Sequence, residues 1–396
     1  MTTDAVYKPA ETSKVAFYRD PRIRAIFFQV VVVGAVVALA VFLVNNTLVN
    51  MARQGIATGF GFLDKESSFA IGESLIAYDP SDTYRRAFVV GLLNTLSVAI
   101  TGIVFATILG VFVGIARLST NWLIRKLAQV YVEFLRNIPL LLQLFVWWDL
   151  LRVSAPGPRQ AWQPLPDVFV SNRGLLYPVP VWTEVHAWMG IASLVGIVGT
   201  YILGKWAKAR QAQTGQQFPL LKVGLGLILG LPLLVYLAGG APTELNKPVL
   251  SGFNFVGGHG VSPEFAALLI GLSVYTSAYI GEIVRSGIQA VNWGQSEAAA
   301  ALGLSKARSL RLVVLPQALR VIVPPMTSQY LNITKNSSLA VAIGFPDLVS
   351  IGNTSLNQTG QAVEVIAMVM AVYLIISLSI SLFMNWYNSA IALQTR

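Results

Sequence analysis

The chain of 396 residues has no cysteine. That absence excludes a disulfide framework, thiol chemistry and any cysteine-ligated metal, and it leaves the redox compartment unread. Histidine is almost as scarce. His186 and His259 stand far apart, so neither a metal-ligand spacing nor a nucleophile–base pair can be built on them. Charge is sparse too: Asp, Glu, Lys and Arg make up 12% of the residues, about half the share of a soluble domain. In their place, 55% of the chain is hydrophobic and the mean hydropathy is +0.63. Little charge with that much apolar surface describes an integral membrane protein. The net charge of +10 would also suit a nucleic-acid binder, but the basic residues lie in short segments between apolar runs, where they set membrane orientation instead. Nucleic acid is therefore not an expected partner. There is no tandem repeat and no low-complexity tract.

A transmembrane helix needs about 20 mainly apolar residues. Eight segments reach or approach that length: 26–48, 88–116, 127–151, 187–204, 223–238, 263–283, 314–333 and 363–386. The fourth and fifth are the shortest. The stretch 337–345 is apolar but too short to span, and reads as a re-entrant or broken continuation of the seventh helix. The first run follows a polar tail and is too long for a signal-peptide core, so it is expected to remain as an anchor. The expected fold class is an all-α integral membrane protein.

Basic residues cluster in alternate segments. The tail holds Lys8, Lys14, Arg19, Arg22 and Arg24; then come Arg117, Arg125 and Lys126; then Lys205, Lys208, Arg210 and Lys222; then Lys306, Arg308 and Arg311. The intervening loops are mixed or acidic. Segment 49–87 carries Asp64, Glu66, Glu73, Asp79 and Asp82 against four bases, and 346–362 carries Asp347 and no base. The positive-inside rule then predicts cytoplasmic termini and a cytoplasmic loop 292–316.

The chain divides into a cytoplasmic tail (1–25), an extra N-terminal helix (26–48), an outside loop (49–87), a first core part (88–151), an insertion with two weak spans (152–262) and a second core part (263–396). The insertion opens on a Pro-rich loop (Pro156, Pro158, Pro164, Pro166, Pro178, Pro180) and closes on a Gly-rich one (Gly252, Gly257, Gly258, Gly260). The pairs Gly110/Gly114 and Gly226/Gly230, each four apart, predict close helix packing.

The loop 292–316 carries the most specific pattern. Glu297-Ala298-Ala299 is followed by Gly303-Leu304 and then by Val313-Val314-Leu315-Pro316. Read alone, Ser296-Glu297 before a run of alanines predicts a helix start, because a carboxylate there complements the dipole. Gly303 predicts a helix end, and a proline in the first turn of the next helix is tolerated. The spacing closely resembles the EAA loop of permease subunits in ABC importers, with Val313 where that pattern has isoleucine. Three more stretches resemble the polar amino-acid branch of that family. They are Phe134-Leu135-Arg136-Asn137-Ile138-Pro139 on to Leu144, the run 275–291, and Asn332-Ile333-Thr334-Lys335-Asn336-Ser337-Ser338. The resemblance covers about 88–151 and 263–386 and implies a five-helix type I permease core. The extra first helix and the insertion resemble the longer permease of the general L-amino-acid importers.

The resemblance implies a permease subunit of an ATP-driven importer that moves L-amino acids from periplasm to cytoplasm across a bacterial inner membrane. It implies a cytoplasmic ATPase dimer docking on Glu297, Ala298, Ala299, Gly303, Leu304, Leu315 and Pro316, a second homologous permease subunit, a periplasmic amino-acid-binding protein, and membrane lipid. ATP and Mg would sit on the ATPase, with no cofactor and no enzymatic activity on this chain. Its own nearest approach to a phosphate-binding loop, Gly199 to Trp206, has tryptophan where Ser or Thr is required and lies in an apolar helix.

Polar residues at bilayer depth usually face a cavity or the bundle interior. Arg136 and Asn137, beside Pro139, predict either a substrate-lining kink or an arginine snorkelling to the surface. Asn332, Lys335, Asn336, Ser337 and Ser338 lie where the seventh span breaks and predict a polar patch along a pathway, with a helix end at the outer interface as the alternative. Thr276, Ser277 and Tyr279 are further pathway candidates, with interhelical hydrogen bonding as the alternative. Glu282 and Arg285, three apart, read as a helix-surface ion pair. A secondary transporter driven by an ion gradient is the competing class. It would want ionisable groups at the midplane and paired broken helices in two related halves, and the sequence offers one strong break and no repeat.

Overall fold

The computed structural model describes residues 21–53, 55 and 58–391. Most of the tail read as cytoplasmic therefore lies outside the described residues. Helix α1 (Pro21–Arg53) leads to a loop and then to α2 (Tyr84–Arg117). The loop is tied down. The Ser67 hydroxyl meets Tyr78 at 2.6 Å and the Asp82 carbonyl at 2.8 Å, and the backbone N–H of Gly59 donates to Glu364 at 2.6 Å.

The expected third span, 127–151, is not one helix. It forms α3 (Trp122–Asn137) and α4 (Leu140–Trp148), bent by 102° at Pro139. The bend follows from Ile138 and Pro139 taking extended backbone angles, since the residue before a proline is pushed out of the helical region.

The insertion corrects the loop reading on both sides. Its first stretch forms β1 (Trp162–Leu165), β2 (Val168–Ser171), β3 (Gly174–Tyr177) and β4 (Val179–Pro180). Then come α5 (Glu184–Thr214), α6 (Leu220–Ala238), β5 (Leu245–Asn246), β6 (Val249–Ser251), β7 (Asn254–Val256) and β8 (His259–Val261). Strands β1-β2-β3-β8 make one antiparallel sheet, and β4 pairs with β5. The two ends of the insertion thus zip together across the helical hairpin. The hairpins turn through two residues, Pro166-Asp167, Asn172-Arg173 and Gly252-Phe253, so Pro166 and Gly252 mark turns, while Pro164, Pro180 and Gly260 lie within the short strands themselves. Helix α5 runs well past the expected 187–204. Its polar end contains no breaker before Gly215, which stops it at φ 70°.

The chain continues as α7 (Pro263–Gln289), α8 (Trp293–Ala301), α9 (Lys306–Ser309), a wide turn at Leu310–Val314, and α10 (Leu315–Asn336). A tight 3-10 turn, Ser337–Ile343, carries the seventh span onward, as expected, to Gly344, α11 (Leu348–Thr359) and α12 (Ala362–Ile391). Among the described residues seven helices are long and apolar enough to cross a membrane, or eight with the bent α3–α4 pair counted as one span.

Helix α7 is the axis of the bundle, with α2, α3, α4 and α10 packed on it. Gly110 and Gly114 of α2 lie against Ile280, Gly281 and Val284 of α7, as their spacing predicted. Gly226 and Gly230 do not act this way, for no atom lies within 4 Å of where their side chains would start. In the α5–α6 hairpin the close approach falls at Gly196, against Leu227 and Ile228, and at Gly224, against Thr200. The faces turned away from the protein on α1, α5 and α12 are lined by exposed Val, Leu, Ile and Phe, the surface a lipid phase requires.

Candidate functional site

Where α2, α3 and α7 meet, Arg117, Val132, Glu133, Arg136, Asn137, Tyr279 and Glu282 line a cavity of about 370 Å³. The elbow after α3 leaves Arg136 and Asn137 exposed at its rim. The Arg136 guanidinium sits over the Tyr279 ring, 4.9 Å from its centre, which holds the cation beside an aromatic face. Tyr279 in turn meets Tyr275, hydroxyl to hydroxyl at 3.1 Å. Glu282 is gripped twice, by Arg117 of α2 and by Arg285 one turn along α7. The pair read as a plain surface contact is thus a three-residue cluster joining two helices at the cavity wall. The sequence reading missed Arg117 and Glu133 as lining residues. Glu133 could have been found from its place three before Arg136 on one helical face.

Arg136, Asn137 and Tyr279 are brought together here, and the other pathway candidates are not. Ser277 has no exposed surface and its hydroxyl meets Tyr131 at 2.7 Å, while Thr276 is 2% exposed. Ser277 thus makes the interhelical bond of the alternative, from α7 to α3, while Thr276 is buried in the bundle away from the cavity. Ser337 is likewise closed inside the fold and returns its hydroxyl to the Thr334 carbonyl at 2.7 Å. Ser338 does the same to Lys335. Asn332, Lys335 and Asn336, at positions i, i+3 and i+4, share one face of α10 but do not line this cavity.

The second element is the loop 292–316. Asn292, not Ser296, caps α8, its side chain accepting from the Gly294 N–H at 2.8 Å. Glu297 is therefore mid-helix, exposed, and accepts from the Trp293 indole at 2.8 Å, which corrects the dipole reading. Gly303 ends the helix as expected. At φ 77° it lets its own N–H reach Ala300 and the Leu304 N–H reach Ala299, the paired bonds of a Schellman cap. Ala299 is buried while Ala298 is exposed, and Pro316 stands in the first turn of α10. Trp293 and Leu302, which the motif did not single out, are 75% and 82% exposed on this element. Gln317 ties it to α10, donating to Val313 at 3.0 Å and to Gln295 at 3.4 Å.

Residues 102–393 match the family of binding-protein-dependent transport system inner membrane components, and the chain belongs to that family. It is 50% identical, over 95% of its length and 94% of the relative's, to the general L-amino acid transport system permease protein AapQ of Rhizobium johnstonii. It is 41% identical, over 95% of this chain and 96% of that one, to the glutamate/glutamine/aspartate/asparagine transport system permease protein BztB of Rhodobacter capsulatus. Among solved structures it resembles a chain of an amino acid ABC transporter crystallised with histidines, at 21% identity and a TM-score of 0.46, covering 78% of this chain and 95% of that one. The protein is thus an ABC-type permease, a transport subunit of the inner membrane. The secondary-transporter alternative is set aside.

Proposed function

We propose that this chain is one of two permease subunits of an ATP-driven importer that carries L-amino acids from the periplasm into the cytoplasm. Both termini and the element 292–316 lie on the cytoplasmic side, where an ATPase dimer holding ATP and Mg docks. A periplasmic binding protein delivers substrate at the opposite end, where the insertion 152–262 carries its sheets. The names of the relatives support the substrate class.

The observation that carries the ATPase-docking reading is the α8 element itself: a capped helix, locked by a Schellman turn, with Trp293 and Leu302 bare on its surface. Its connections give a physical route to the cavity. Ala299 is buried, and Gln317 links α8 to the base of α10. Ile322 of α10 lies against Gly287 of α7, and α7 carries Glu282 and Tyr279 into the cavity wall. Closure of the ATPase dimer pushes α8, and α10 and α7 move with it because packed elements shift as units. ATP binding drives the switch only by its preference for one state over the other.

The test is gentle purification of the tagged chain from native membranes, with mass spectrometry of what accompanies it. An ATPase and a second permease are expected. Leu302→Asp should lose the ATPase while keeping the second permease. Recovery of the chain alone, or undiminished ATPase with Leu302→Asp, overturns the reading.

A further inference from the structure

The bend between α3 and α4 frees backbone carbonyls at the end of α3 from their helical partners, and two of them, those of Leu135 and Ile138, are turned into the fold. Leu135 would be paired by the N–H of the residue four ahead, but that residue is Pro139, which has none. Ile138 would be paired by Leu142, but the N–H groups of both Leu142 and Gln143 turn to the Pro139 carbonyl instead, at 3.1 and 3.3 Å. A buried carbonyl left unpaired is costly. The side chain of Gln143 meets both needs: its amide nitrogen donates to Leu135 at 2.9 Å and to Ile138 at 3.0 Å. Gln143 is 6% exposed and lies between Leu140 and Leu144, on an otherwise apolar stretch of α4. Its amide oxygen finds no partner among the described residues. The amide is thus retained in an apolar site with one end unpaired, and its function there lies in the two bonds of the other end.

We infer that Gln143 is a positioning residue for transport: it staples the α3–α4 elbow and so fixes Arg136 and Asn137 at the rim of the charged cavity. The step from elbow to cavity is short. Arg136 lies in the last turn of α3, one residue beyond the stapled Leu135 carbonyl, and must keep its height to remain over Tyr279. Neither Arg136 nor Asn137 is held by the staple directly. They lie between the two carbonyls that Gln143 secures, Leu135 and Ile138, and follow that segment. The transport consequence rests on the reading of this cavity as part of the amino-acid pathway, whereas the staple does not.

This chain has no native cysteine, so a reporter placed in it is its only thiol, and labelling is read on this subunit after the subunits are separated by denaturing electrophoresis. A single reporter, Ile138→Cys, is placed at the bend of the full importer, assembled with its partner subunits in proteoliposomes, and its maleimide labelling is timed. Gln143→Leu keeps the volume and removes both donors. Labelling is expected about ten-fold faster, the scale of one buried polar group losing its partner. Gln143→Asn keeps the amide but is one methylene short, and should fall between. With the native residue at 138, uptake of tritiated L-glutamate, L-leucine and L-arginine by the Gln143 variants should show a KM raised several-fold with ATP hydrolysis retained. A merely structural loss would instead lower the amount of active importer at unchanged KM. Labelling unchanged in both variants overturns the staple. Faster labelling with unchanged KM overturns the positioning role. Should Gln143→Leu fail to insert, Gln143→Asn alone decides between these outcomes. Arg136→Ala with native uptake kinetics removes the pathway reading, and with it the transport role, whatever the labelling shows.

Discussion

A side chain begun on Gly110 would place its first carbon 2.5 Å from Cγ2 of Ile280, nearer than two carbons can sit. One turn further on, Gly114 would meet the Cβ of Val284 at 2.7 Å and the carbonyl oxygen of Gly281 at 2.8 Å. A side chain begun on Gly281 would in turn meet Val113 at 2.9 Å. The helices α2 and α7 are therefore in backbone-to-side-chain contact over this stretch, and at Gly114 part of the obstacle is main chain that no rotamer change can move. Close approach of this kind supplies dispersion contacts where lipid removes any hydrophobic drive between helices.

Gly114→Ala is accordingly expected to lower the stability of the detergent-purified protein by about 1–3 kcal/mol, the usual cost of overpacking. Gly226→Ala and Gly230→Ala meet nothing and should leave it unchanged or raise it by about 0.5–1 kcal/mol through helix propensity. Thermal unfolding followed by tryptophan fluorescence separates the two pairs. Equal shifts at 114 and 226 would contradict the contact.

The contrast between these pairs shows what the sequence could convey. Spacing marks a glycine pair as able to pack closely, but which helix faces a neighbour is decided by tertiary placement, so Gly110/Gly114 and Gly226/Gly230 read alike. The spans were legible because apolar runs of helix length have few other uses. The elbow was legible only as a proline, since its 102° angle depends on which groups take up the freed carbonyls. The strands of the insertion escaped because two to four residues cannot display an alternating pattern. In the cavity, Arg136 and Asn137 stood out as polar residues in an apolar span, while Ser277 and Ser337 stood out equally and proved to be packing groups. A hydroxyl can return its proton to its own helix, so its presence alone says little about a pathway.

Asp347 gives a prediction with a definite sign in pH. It has no exposed surface, caps α11 by accepting from the Ser350 N–H at 2.8 Å, and lies 3.4 Å from the Tyr373 hydroxyl. Burial raises its carboxyl from 3.8 to about 6, outweighing the hydrogen bonds from Ser350, Val349 and Tyr373 that lower it. The folded protein then holds a proton that the unfolded chain releases. The stability this group contributes is fully present below about pH 4 and is lost as pH rises through about 6. Asp347→Asn keeps a good cap and cannot ionise. Between about pH 4 and 6 the native protein should lose Tm relative to Asp347→Asn, with a constant gap above, worth at most about 3 kcal/mol. A gap that stays flat across that window would refute the buried proton.

The grip on Glu282 predicts an unequal pair of mutants. Arg117 reaches it from α2 and Arg285 from one turn along the same helix, and all three side chains are more buried than exposed. Removing the shared carboxylate leaves two arginines facing each other at the cavity wall. Glu282→Gln should therefore cost about 1–3 kcal/mol, as expected for a partly buried cation that loses its partner. Arg285→Gln gives up contacts within α7 alone, to Glu282 at i−3 and to Gln289 at i+4, each worth a few tenths of a kcal/mol, and should cost about 1 kcal/mol or less. Differential scanning fluorimetry of both variants at one salt concentration would show the order. Arg285→Gln being the worse of the two would mean that the link to α2 carries no weight.

Gly303 separates backbone shape from surface contact in the α8 element. Its φ of 77° is the left-handed region, and nothing lies within 4 Å of a side chain there, so any penalty for substitution comes from the backbone alone. Asparagine tolerates that region, alanine less so, and a β-branched residue least, at about 1–2 kcal/mol. The Schellman turn should open in that order, and with it the placement of Leu302 and the base of α10. Uptake per ATP hydrolysed by the reconstituted importer is expected to fall from Gly303→Asn through Gly303→Ala to Gly303→Val. Leu302→Asp leaves the turn intact and removes only exposed apolar surface, so it should cut hydrolysis and uptake together by weakening docking. Native coupling in Gly303→Val would show that the rigid turn is not what transmits the movement, and would leave Trp293 and Leu302 as a contact surface only.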